Sequence, residues 1–557
     1  MIVHQNKNPF EKNNFQKGNR WIFLNFPLFI AACGSDGNKS SQTNELNLDG
    51  FPSDYFEPIA NYSKPISVDE FSSSMAGEYE DPYWVEALVM GDYDITLSEV
   101  LEDHDRTFAI TFPDEMPNYE IPDIEGWMSA SSEMRSATLE ITNKISERID
   151  IKFIETEAPY QNNVLSVAVS KQDTTAGISF FPSSFYEVGM DVFISEDFDK
   201  PIFRTENITN YDYEVLVHEI GHALGLKHPF ESDGVNSSTM TGVDDNTRFT
   251  AMSYNDSVIT YDGNLRPLDW MALAKMYGVN PEYNSGDDTY LFSSNSPTFI
   301  LDGSGIDKID ASDVTRDVTI DLRYGSHSHL GTKTDKISYP YQMTISEGSD
   351  IENVVTGSGN DYIIGNDIDN VINTGDGDDV IYSGDGSDTI ISGTGSDIID
   401  LGEENPSKDI IDMTTSIFGA GIDIIYGFTE GIDGDVFDIS SLFDDMPDYL
   451  PLVSIQNVPI AEYGTGILRI FGEELNNVIN LNAAFASGGP LENLFMPLNE
   501  KSIIISADSQ NTGEDQNIFY ANSLGNDVTY IHLATLRGNY LDIDTWDVSN
   551  FEILDIA

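Results

Sequence analysis

Cysteine is nearly absent from this chain: one residue, Cys33, in 557. No intramolecular disulfide can form, nor a cysteine-rich zinc finger. Basic residues are scarce too, 27 Lys and Arg against 95 Asp and Glu, for a net charge of −68. Such a surface repels nucleic acid and anionic lipid headgroups, so no nucleic-acid partner is expected, and it favours cations. No stretch reaches the ~18 uninterrupted apolar residues of a membrane-spanning helix. What is present is enough to fold: 40% hydrophobic and 11% aromatic residues argue against global disorder. At ~100–200 residues per domain, the length allows roughly two to four domains.

The amino terminus differs from the rest. Lys7, Lys12, Lys17 and Arg20 precede an apolar run from Trp21 to Ala32, broken by Asn25 and Pro27. The run ends in Ile30-Ala31-Ala32-Cys33-Gly34-Ser35. A basic start, a short apolar stretch and small residues at the end are the pattern of an export signal. This ending resembles a bacterial lipobox, which implies that Cys33 becomes the lipidated first residue of the mature chain and a lipid anchor to the membrane. An ordinary signal peptide with an accidental Cys is the alternative. Residues 1–33 are therefore expected to be a signal peptide with lipobox. Residues 34–76, rich in Ser, Asn, Asp, Pro and Gly, are expected to be a flexible tether or pro-segment.

From about residue 77 to 280 the pattern predicts an α+β domain. Apolar spacing predicts a helix from Ser132 to Arg148, with Met134, Leu139, Ile141 and Ile145 inward. Short β-branched or aromatic runs at 108–112, 151–154, 164–169, 178–181 and 192–194 predict strands. The informative segment is Val217–Pro229, V-HEIGHALGLKH-P. A helix is expected from about Tyr213 to Gly225, with Asp212 as N-cap. His218 and His222 are four residues apart and project from one helical face. Glu219, one residue on, is rotated by ~100°, beside a metal-bound water without being a ligand. Gly225 permits a left-handed turn that brings back His228 as third ligand. Three neutral nitrogens with one open position are the arrangement of a catalytic zinc. Coincidental histidines explain a bare H-E-x-x-H but not the full H-E-x-x-H-x-x-G-x-x-H in a chain with 8 His.

This segment resembles the metzincin zinc proteases, and among them the serralysins. The resemblance implies a zinc metalloprotease catalytic domain over 77–280, one catalytic Zn2+, and protein or peptide substrates. It implies Glu219 as general base. It also implies that Thr250-Ala251-Met252-Ser253-Tyr254 is the Met-turn, with Met252 a hydrophobic floor and Tyr254 a phenol that ligates zinc at rest and supports the oxyanion. Arg266 to Gly278 resembles the helix that closes this domain. One departure is Phe230 after His-Pro, where the group often has Gly. Cys33 as a latency thiol that blocks the zinc is a further reading, but the Pro-Arg context of cysteine switches is missing.

From Thr356 the chain repeats every nine residues: TGSGNDYII, GNDIDNVIN, TGDGDDVIY, SGDGSDTII, SGTGSDIID. The eighth position is always Ile: Ile363, Ile372, Ile381, Ile390 and Ile399. Each unit reads as a six-residue turn and a three-residue strand with one apolar side chain inward. Glycines leave carbonyls open and Asp supplies charge, donors that suit Ca2+. The pattern resembles the RTX repeat, which implies a parallel β-roll over 281–445 holding several structural Ca2+. Stacked turns would lie 18 residues apart. Gly357, Gly359, Asp361, Gly375, Gly377, Asp379, Gly393, Gly395 and Asp397 form one edge; Gly384, Gly386 and Asp388 lie on the other. There they oppose Asn366–Asn370, which lacks both glycines, so a weaker site is expected. Outlying copies run from Gly303 to Asp307 and from Gly419 to Asp423. A Gly/Asp-rich linker would not explain the invariant Ile.

Residues 446–557 alternate apolar and polar and are expected to be a further β-rich region. Its acidic, apolar end resembles a type I secretion signal, with an ordinary terminal strand as the equal alternative, so type I secretion machinery is an expected partner if the first reading holds and the lipobox reading is wrong. Either route leads outside the cytoplasm: a secreted, extracellular or cell-surface protein, as an outer-membrane-anchored lipoprotein of a Gram-negative bacterium if Cys33 is lipidated. The leading function is a zinc endopeptidase stabilised by calcium. The alternative is a calcium-dependent surface-binding protein or adhesin with a vestigial protease domain.

Overall fold

The computed structural model describes residues 30–34, residues 82–440 apart from internal stretches of which 198–210 is the longest, and a set of strands between 448 and 552. The expected signal segment before Ile30, the tether at 35–76 and the tail from 553 lie outside the described residues. Among the described residues no helix is long and apolar enough to cross a membrane.

The first half is helices on a mixed sheet. Its elements are β1 (Ile30–Gly34), α1 (Tyr83–Glu86), α2 (Tyr93–Val100), β2 (Thr107–Thr111), β3 (Glu125–Ser129), α3 (Ser132–Arg148), β4 (Lys152–Glu155), β5 (Val164–Lys171), β6 (Thr175–Phe180), β7 (Val192–Ser195), α4 (Tyr211–Ala223) and α5 (Pro267–Tyr277). The strands order as β1-β6-β7-β5-β2-β4, with β3 also on β5. The β7-β5-β2-β4 pairs are parallel; β6 and β1 join antiparallel at one side.

Helix α3 has the expected bounds, and the Ser131 hydroxyl accepts from the Met134 amide at its start. Its buried stripe is Met134, Ala137, Thr138, Ile141, Thr142 and Ile145. Leu139, expected inward, is only partly buried. Five residues from Met134 it is rotated ~140° away, off the stripe. Helix α4 begins at Tyr211, so Asp212 sits in the first turn and is not the cap. The helix ends two residues before Gly225, whose φ of 97° is the left-handed turn expected there. Every residue of α4 from Tyr213 on is buried, and the helix lies across β6 and β7.

The second half is a two-faced parallel roll. Three-residue strands at 362–364, 380–382 and 398–400 stack on one face; those at 353–355, 371–373 and 389–391 stack on the other. Partners are 18 residues apart, such as Ile363 with Ile381 and Ile372 with Ile390. All five invariant Ile are fully buried, each contributing ~1.5–3 kcal/mol relative to exposure. Turns stack so closely that a Cβ on Gly393 would lie 1.7 Å from the Gly375 carbonyl oxygen. The later strands extend the same two sheets: Asp423–Tyr426 pairs with Asp527–Arg537, and Val436–Asp438 with Phe551–Glu552. The halves are tied at buried Asp244, which accepts from the hydroxyls of Tyr83 and Ser338.

Candidate metal centres

Helix α4 and the turn after it bring His218, His222 and His228 together, all buried. Their Nε2 atoms converge: 3.2 Å from His218 to His228 and 3.1 Å from His222 to His228. The opposite nitrogens face acceptors. His218 Nδ1 donates to the Ala251 carbonyl at 2.7 Å and His222 Nδ1 to the Leu226 carbonyl at 2.6 Å. His228 Nδ1 faces the Glu231 carboxylate at 3.2 Å. With the protons on Nδ1, three lone pairs meet at one point, which is stable only around a cation. Burial, then the nearby His228, lowers the pKa of His218 to about 3 and moves that of His222 well below its ordinary value, keeping both in the neutral, ligating form. The donor set fits zinc.

Glu219 is buried beside the triad, and the Ser179 hydroxyl on β6 donates to its Oε2 at 2.7 Å. Gly177 on the same strand leaves it room, since a Cβ there would lie 2.4 Å from Glu219 Oε1. Tyr254 brings its hydroxyl to 2.8 Å from His228 Nε2, at the same convergence point. Met252 is fully buried, its sulfur under Gly221 between the two helical histidines. Phe230, the departure noted above, stacks on His228 with centroids 5.2 Å apart and planes at 7°, and also touches Tyr254. It walls one side of the triad.

Sequence reasoning missed the residue that holds the Met-turn. Buried Asp269 accepts from Thr250 Oγ1 at 2.6 Å, the Ala251 amide at 2.7 Å and the Arg266 amide at 2.8 Å. Ala251 is the residue whose carbonyl orients His218. The signal was available: an acid in the first turn of α5, three residues after the N-cap Arg266. Burial raises the Asp269 pKa to about 6, against those hydrogen bonds. Asp269→Ala removes both carboxylate oxygens and takes this acceptor from the Thr250 hydroxyl and from the Ala251 and Arg266 amides. It should destabilise the fold by ~1–3 kcal/mol, read from the urea midpoint, and lower zinc occupancy.

The repeat aspartates form ladders. Asp361 Oδ1 accepts from the Val318 amide, Asp379 Oδ1 from the Asp361 amide, and Asp397 Oδ1 from the Asp379 amide, at 2.7–2.9 Å. On the other edge Asp388 accepts from Asn370 in the same way at 2.8 Å. The second oxygens of Asp379, Asp388 and Asp397 are buried without a hydrogen-bond donor. Buried carboxylate oxygens of this kind, in glycine-rich turns, fit a hard cation. At Asn370 the side-chain amide instead donates to the Glu352 carbonyl and to Asn366 Oδ1. The expected weak edge thus has a donor where the others present an oxygen. The ladders run on through Asp409, Asp423 and Asp435, past the regular repeats. Asp307, from the outlying Gly303 copy, lies with Asp288 and Asp302 in one cluster of carboxylates; the latter two were not anticipated.

The described residues thus combine a histidine triad on a helix-and-turn with a parallel roll of aspartate turns. Residues 271–453 match the family model described as Peptidase M10 serralysin C terminal. The chain is 34% identical over 193 residues to serralysin of Proteus mirabilis, covering 30% of this chain and 38% of the relative. It is 31% identical over 234 residues to metallopeptidase AprA of Pseudomonas marginalis, covering 36% and 47%. To serralysin of Photorhabdus laumondii it is 29% identical over 327 residues, covering 51% and 64%. The chain spans 38–64% of the length of these curated relatives. It is serralysin-like, with repeats of the RTX kind.

Proposed function

We propose that the protein is a zinc-dependent endopeptidase acting outside the cytoplasm, its second half stabilised by calcium. The supporting observation is the convergence of three histidine Nε2 atoms, each backed by an Nδ1 acceptor, beside buried Glu219. His218, His222 and His228 hold zinc, which when bound supplies Lewis acidity to water and to a peptide carbonyl. Glu219, oriented by Ser179, takes a proton from the attacking water and returns it to the leaving amine. Tyr254 donates a hydrogen bond to the oxygen on which charge develops. Met252 and Asp269 hold the floor under the ligands. Asp361, Asp379, Asp388 and Asp397, with the glycine carbonyls of residues 357, 359, 375, 377, 384, 386, 393 and 395, bind calcium and so fold the roll.

In this reading residues 77–280 are the catalytic domain and 281–445 the calcium domain, with Cys33 the candidate lipid anchor of an exported chain. The test is casein hydrolysis by the full chain. It should stop with 1,10-phenanthroline and return with added zinc. No hydrolysis by zinc-loaded protein would leave the calcium-dependent surface-binding alternative.

A further inference from the structure

A second pair of histidines lies in the other half of the molecule, on the strand His327–Leu330. Residues two apart on a strand share a face, so His327 and His329 project to one side and Ser328 to the other. The neighbouring strand, Gln342–Ile345, runs antiparallel and sets Gln342 opposite His329 and Thr344 opposite His327. Directly opposed residues also share a face, so four polar side chains meet there. Trp84 of α1 packs on this face from the first half, its ring edge-on to His327 with centroids 6.3 Å apart. His327 Nε2, His329 Nδ1, Gln342 Oε1 and Thr344 Oγ1 are all closed off from solvent, and none has a hydrogen-bond partner. Gln342 and Thr344 are fully buried. Gln342 lies against His327, and its amide nitrogen donates to the Pro340 carbonyl at 3.4 Å, which leaves Oε1 for another partner. Each such orphaned atom is costly, and four on one face call for a ligand. Burial first, then the Lys333 ammonium, lowers the pKa of His327 to about 3 and of His329 to about 4. Both rings are therefore neutral and carry a free lone pair. Two imidazole nitrogens with an amide and a hydroxyl oxygen suit a borderline divalent ion; the set contains no carboxylate, so it does not favour calcium.

We propose that this face is a binding site for one borderline divalent transition-metal ion, ligated by His327 and His329, with Gln342 Oε1 and Thr344 Oγ1 completing the donor set. The two rings stand 6.5 Å apart, wider than the 4.5–5.2 Å within the histidine triad, so binding draws them together by side-chain rotation. The net charge of −68 outweighs the Lys333 ammonium in attracting a cation. The ion sits where Trp84 of the first half meets the second, so it clasps the two halves. The site does not depend on the endopeptidase reading.

The test adds copper(II) as the probe to the full chain, already loaded with zinc and millimolar calcium, and to full-length His327→Phe/His329→Gln. Electron paramagnetic resonance separates copper held by nitrogen from copper on surface carboxylates. The unaltered chain should hold one more nitrogen-ligated copper than the double variant, with equal zinc in both by mass spectrometry. Copper that enters the histidine triad does so in both chains, so the difference belongs to the strand pair. Gln342→Glu keeps both histidines and puts a carboxylate in place of the neutral oxygen, and should tighten that copper at least tenfold. An equal count in the two chains, no such copper in the unaltered chain, or unchanged affinity in Gln342→Glu would overturn the proposal. If the double variant does not fold, the Gln342→Glu affinity decides.

Discussion

Replacing Glu219 by Gln or Ala should lower casein hydrolysis by roughly 10²–10⁴-fold, the share a positioned general acid–base group supplies, while leaving one zinc per chain. The two effects separate because of where α4 places the residues. His218 and His222 face the convergence point with His228, and their orientation comes from the Ala251 and Leu226 carbonyls, not from Glu219. The carboxylate is held independently, by Ser179 on β6. Gln keeps the size and the acceptor for Ser179 but cannot take a proton, so it isolates the chemistry from the packing. Zinc content by mass spectrometry of metal-loaded protein and hydrolysis rates on the same sample give both readings. Hydrolysis at the unaltered rate in zinc-loaded Glu219→Gln would remove Glu219 from the mechanism.

The helix–turn that carries the histidines was legible because spacing alone determines it. Residues four apart share a helical face, and a glycine after the helix permits the reversal that returns His228. The nine-residue period was legible for a similar reason: one invariant Ile per unit can only mean one inward position per turn. What spacing cannot show is contact between distant segments. Asp269 looked like an ordinary first-turn acid, and only tertiary packing brings it under Thr250 and Ala251. Ser179 is an unremarkable strand residue until β6 lies against α4. Asp409 and Asp435 lack the glycine pattern, so the aspartate ladders outrun the repeats that announced them. Leu139 is the opposite error, an apolar residue assigned inward by type when its angle sends it to the margin.

Removing calcium should loosen the roll, and acid should partly restore it. Burial raises the pKa of Asp379, Asp388 and Asp397 to about 7, with neighbouring carboxylates adding to the shift. In the unfolded chain these groups titrate near 3.8. The folded roll therefore binds more protons than the unfolded chain between pH ~4 and ~7, and its stability falls as pH rises through that window. Above pH 7, without calcium, the ionised carboxylates are buried beside one another with oxygens that meet no donor, a state in which like charges repel and unfolding relieves them. In the function proposed above, calcium would take the place of the protons. Protein stripped at pH 8 and kept in calcium-free buffer should lose amide protection across residues 362–400, regain part of it at pH 5.5, and regain all of it at pH 8 with millimolar calcium. Calcium addition near pH 6.5 should release protons, and apparent affinity should weaken as pH falls below 7. The first half has the opposite sign: His218, with its pKa lowered to about 3, favours the folded state less as pH falls below 6.5. Acid that protects the roll should therefore loosen the histidine helix, so exchange must be read separately over 211–223 and 362–400. Identical protection of 362–400 at pH 8 with and without calcium would show that the aspartate ladders hold without a cation.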